Sequence, residues 1–83
     1  MPYIKPERRP AMDEIVRLMI QNGVKVDGDL NYILFKFCAV AVHPGYGNYK
    51  NFCGELSECV AEVRKRLTAK YLDQKIQENG DVP

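Results

Sequence analysis

Eighty-three residues can build one hydrophobic core and no second, so the chain acts as a single small domain or as an assembly of copies. With 46% hydrophobic and 28% charged residues it is neither a disordered nor a collagen-like chain. Twelve basic against 11 acidic residues give a net charge of +1, too balanced to demand nucleic acid or an anionic membrane as a partner.

Residues 1–9 hold Pro2, Lys5, Pro6, Arg8 and Arg9 and read as an extended basic arm. A first helix is predicted over 10–22. Pro10 suits its first turn, Asp13 and Glu14 sit near the positive end of its dipole, and Gly23 supplies a left-handed stop. Met12, Ile15, Val16, Met19 and Ile20 recur at steps of three and four, which predicts a core-facing stripe.

A second helix is predicted over 28–42, capped by Asp27, with Asp29 adding negative charge to its first turn. Pro44 and Gly45 end it, and His43 is read as interacting with its C-terminal end. Leu30, Ile33, Leu34, Phe37, Cys38 and Ala41 form one apolar stripe, while Phe35, Ala39, Val40 and Val42 cover much of the remaining surface. Such a helix needs cover on both sides.

A third helix is predicted over 48–75, with Tyr49, Phe52, Cys53, Leu56, Val60, Val63 and Leu67 stepping by three and four. At 1.5 Å per residue it would be about 40 Å long, more than the two shorter helices can cover. Residues 77–83 read as a non-helical tail, and the short ends Tyr3-Ile4 and Asp81-Val82 as segments able to pair. The expected fold is all-α, a single domain of about three helices, the last one long.

Cys38, Cys53 and Cys59 are odd in number and lack zinc-site spacing, which points to free thiols in a reducing compartment. The N-terminus shows no signal-like apolar run and no stretch approaches a membrane span, so the expected setting is soluble and cytoplasmic.

The apolar surplus on the second helix and the overhang of the third predict a homodimer, with Phe35, Val40, Gly54 and Leu67 at the seam. Gly54 is included because a glycine inside a helix suggests a close helix approach. The leading reading is therefore a non-enzymatic interaction protein with no catalytic residue and no cofactor.

Two other readings compete with it. Glu55-x-x-Glu58 and Glu78-x-x-Asp81 each place two carboxylates on one helical side, a donor set suited to Mg²⁺. This spacing resembles the all-α MazG-type nucleotide pyrophosphohydrolases, which implies Glu55, Glu58, Glu78 and Asp81 as magnesium ligands and a metal-bound water as nucleophile. Gly80 departs from that pattern by interrupting the helix that the second pair requires. In the other reading, Arg64, Lys65, Arg66 and Lys70 meet nucleic-acid phosphates, although cations near a helix C-terminus are also favoured by its dipole.

Met1-Pro2-Tyr3-Ile4, Gly28-Asp29-Leu30-Asn31-Tyr32, Lys75-Ile76 and Glu78-Asn79-Gly80-Asp81-Val82 together resemble a family of short uncharacterised bacterial and phage proteins, a domain of unknown function. Lys70-Tyr71-Leu72-Asp73 stands where the family has a more acidic segment. That resemblance implies one intact domain and no particular chemistry.

Overall fold

In the computed structural model, which describes residues 3–82, every secondary-structure element is helical. The first helix arrives earlier than the basic-arm reading allows. Lys5 is extended, as a residue before proline prefers, but Pro6–Arg8 forms a 3-10 turn that leads into α1, Arg9–Gln21. The cause is the proline ring, which fixes φ near the helical value and has no N–H to waste in a first turn. Met1 and Pro2, also assigned to the arm, lie outside the described residues.

The end of α1 is a Schellman motif. Gly23 takes φ +67°, its N–H donates to the Ile20 carbonyl at 3.0 Å, and the Val24 N–H donates to the Met19 carbonyl at 3.0 Å. Met19 and Val24, the positions at which an apolar pair accompanies this motif, are both half-buried and line one hollow. On the exposed side of α1, Arg17 donates to Glu14 and to Gln21 Oε1, and this guanidinium holds the Glu14 carboxyl below its ordinary range. Any stabilisation from that depressed value is present at neutral pH and lost as pH falls through it. Both side chains are exposed, which keeps the contribution small.

The second helix, α2, spans Gly28–Ala41. As the sequence predicts, Asp27 is its N-cap and accepts from the Asp29 N–H at 3.0 Å, while Asp29 reaches back to the Lys25 N–H at 3.2 Å. Asp27→Ala is expected to cost about 1 kcal/mol, which lowers the melting temperature of a domain this size by about 5 °C in a thermal melt followed by circular dichroism. Val42 caps the other end in an extended conformation, so His43 lies beyond the helix and is exposed, a correction to its reading as a terminal partner. Pro44 explains this by holding the residue before it away from helical geometry.

The last helical run is longer than predicted at both ends. It comprises α3 (Tyr46–Val63), a π-helical segment (Arg64–Thr68) and α4 (Ala69–Asn79), without interruption. It starts at Tyr46, two residues before the predicted start, and its first turn closes through the Tyr49 N–H on the Gly45 carbonyl. At the other end nothing between Lys75 and Asn79 opposes the helix, and Lys75 pairs with Glu78 at 3.1 Å. Gly80, at φ +82°, terminates it. Of the predicted tail, Gln77, Glu78 and Asn79 are thus helical. No strand occurs among the described residues, Tyr3, Ile4, Asp81 and Val82 included.

The π segment has a trace in the apolar spacing. On an unbroken α-helix Leu72, nine positions after Val63, would sit about 180° away from it. A wide π turn absorbs about one residue and brings Leu72 to within about 80° of Val63, with Tyr71 about 20° away on the other side.

The chain divides into two units, 3–52 and 53–82. In the first, Met12, Met19, Leu30, Ile33, Leu34 and Cys38 are among the half-buried side chains, and the Phe37 and Phe52 rings stack 6.5 Å apart. Of the predicted α1 core stripe, Ile15, Val16 and Ile20 are exposed. A hollow of about 290 Å³ opens between Val16, Met19, Ile20, Val24, Val26 and Leu30. In the second unit Leu56 and Glu62 are half-buried. No described residue is buried outright.

Candidate functional site

The exposed apolar side chains make up the candidate surfaces. Phe35 is 71% exposed, Val40 73% and Leu67 64%. Fully burying one such side chain is worth about 1.5–3 kcal/mol, so leaving several in water forfeits a large share of the roughly 5–15 kcal/mol that stabilises a domain. Phe35 and Val40 do not share one face of α2. Phe35 and Val40 lie five positions apart on α2, about 140° around its axis, and Leu67 belongs to the other unit, within the π segment.

A helical projection of α2 resolves two opposed apolar faces. Leu30, Ile33, Leu34 and Cys38 are half-buried, while Gly28, Tyr32, Phe35 and Ala39, at steps of four, three and four, occupy the opposite face and are exposed. Tyr32 is 65% exposed and a side chain added at Gly28 would meet nothing within 4 Å. The sequence holds this pattern, but it is masked by Val40, which projects within about 20° of Ile33 and is nevertheless exposed.

Gly54 was predicted to mark a close helix approach. A Cβ placed there meets no described atom within 4 Å. Gly54→Ala is expected to raise the melting temperature by about 5 °C, because alanine is about 1 kcal/mol better in a helix interior. A drop in dimer affinity on the same substitution would place a partner's backbone at this position. Cys53, which falls in the apolar stripe predicted for the third helix, is exposed, as is Cys59; Cys38 is half-buried and all three thiols are free.

The acidic residues are not gathered. Glu55 and Glu58 lie on α3 and Glu78 on α4 of the same uninterrupted helical run, so 20 residues of helical rise put Glu58 and Glu78 about 30 Å apart. Glu78 accepts from Lys75, and Asp81 accepts from the following Val82 N–H at 2.7 Å. Among the described residues no three His, Cys, Asp or Glu side chains cluster as metal ligands.

The basic residues are spread as well. Arg64, Lys65 and Arg66 are consecutive in the π segment and fan out over about half its circumference, and Lys70 follows in α4. Arg66 lies 3.9 Å from the Glu62 carboxylate, which is itself only 13% exposed. No described helix is long and apolar enough to cross a membrane.

A family model described as Domain of unknown function (DUF6899) matches residues 1–82. No curated protein and no solved structure matches the chain.

Proposed function

The chain belongs to this family of unknown function, and we propose that it is a non-enzymatic helical interaction protein that associates with a second copy of itself. The observation that carries the reading is the absence of any buried residue among those described, in a chain rich enough in apolar residues to make a core. An 83-residue helical chain with neither a disulfide nor a closed core needs another source of apolar burial. A symmetric homodimer is the commonest way to supply it, and exposed aromatic side chains such as Phe35 and Tyr32 suit the centre of such a seam.

Light scattering after size exclusion tests this directly. The expected mass is twice the 9.5 kDa of the chain, with a melting temperature that rises with protein concentration. A mass of one chain at micromolar concentration and a melt independent of concentration would refute self-association.

A further inference from the structure

Building on that reading, we infer that the seam is antiparallel: α2 of one copy packs against α2 of a second about a two-fold axis, through the Gly28, Tyr32, Phe35 and Ala39 face. The charges on α2 carry the inference. Between its first residue and its last, the helix holds one acid, Asp29, and one base, Lys36, seven positions apart. Two helical turns bring them onto the same edge of the exposed stripe, about 20° apart, while the other edge carries the uncharged Asn31 and Cys38.

That placement is self-complementary in one orientation only. When two copies of a helix run antiparallel, the two-fold axis carries each edge of the stripe onto the same edge of the second copy. In a parallel pair, each edge meets the opposite one. Antiparallel packing therefore sets Asp29 against Lys36 of the partner subunit, twice, whereas parallel packing sets them against an uncharged edge.

The apolar layers agree with this register. Placing Phe35 opposite the partner's Tyr32 puts Gly28 opposite the partner's Ala39, so large side chains fill the centre and small ones let the helices approach at either end. Both members of the charge pair are available. Lys36 has no ion pair among the described residues, and Asp29 uses one carboxylate oxygen for the Lys25 N–H, leaving the other to accept. Val40 falls outside this seam.

The test uses the full chain and two single variants in analytical ultracentrifugation. Lys36→Glu and Asp29→Lys each turn both cross-pairs repulsive, and each is expected to weaken the dimer about ten-fold. Mixed in equal amounts they form a heterodimer in which both pairs attract again, and parent-like affinity is expected to return. Lys36→Glu alone gives a second readout that leaves the α2 cap intact. Added salt weakens the parent dimer but strengthens this variant, because it screens repulsion in place of attraction.

A dimeric parent whose affinity neither variant alters would overturn the antiparallel seam while leaving self-association standing. So would a Lys36→Glu dimer that salt weakens. A monomeric parent would overturn both.

Discussion

Phe35→Glu is expected to convert the dimer to monomer at micromolar concentration. Phe35 is 71% exposed on the chain and lies at the centre of the uncommitted face of α2, so its burial is gained only on association. Losing a buried aromatic from the core of an interface costs about 2 kcal/mol or more, and a two-fold seam contains it twice, which together weaken the dimer about 1000-fold. Sedimentation velocity across a dilution series reads the change, with circular dichroism reporting retained helix. Val40→Gln, which adds no charge beside Lys36, is the control. About 140° round the helix from Phe35, Val40 leaves the dissociation constant within a few-fold of the parent if the seam is the one inferred. Comparable loss from Val40→Gln would move the seam to the flank of α2.

Gly23→Val is expected to lower the melting temperature by about 10 °C without changing the stoichiometry. Gly23 holds φ +67° and closes the Schellman motif that turns the chain from α1 toward α2. A non-glycine residue in this region costs about 1–3 kcal/mol, and a β-branched one belongs at the upper part of that range. At about 4–8 °C per kcal/mol for a domain of this length, the shift is readily seen in a thermal melt. A Cβ at Gly23 meets no atom within 4 Å, so the backbone angle alone produces the loss. An unchanged melt would mean that residue 23 does not hold this conformation in solution.

Much of the helical framework was legible because its signals are local. Asp27 caps α2 because a short carboxylate can reach the N–H two residues on, and Gly23 stops α1 because only glycine takes a left-handed angle cheaply. The N-terminal arm was misjudged for a related reason. Pro6 was read there as a breaker although it stands in a first turn, where a missing N–H removes no bond, whereas Pro10 holds the first-turn place expected of it. The length of the last helix was underestimated at Gln77–Asn79, polar residues with no breaker among them. The π segment is not legible from apolar steps of three and four, because its mark is the five-residue step from Leu67 to Leu72.

The candidate surface was legible only in part. An excess of apolar residues on α2 was plain from composition along the helix, yet which of them form one exposed face depends on which others the chain itself covers. Leu30, Ile33, Leu34 and Cys38 are taken up by the first unit, and only then do Tyr32 and Phe35 emerge as a separate stripe. The acidic pairs show the same limit. Three-residue spacing within Glu55–Glu58 is a local fact, but whether a second pair meets it depends on whether the chain turns back between them, and the helical run from Tyr46 to Asn79 does not.

The sequence by itself therefore determined that this protein is helical, where most helices start and stop, and that it carries more apolar side chains than its own packing uses. Hydrogen bonds, caps and backbone angles act over four or five residues, so those results follow from neighbours in the chain. Only the tertiary structure decided which apolar side chains remain in water, how far the acidic pairs stand apart, and that a Cβ at Gly54 meets no described atom within 4 Å. Burial and separation are properties of residues distant in sequence, set by where the helices stop turning and what they leave uncovered.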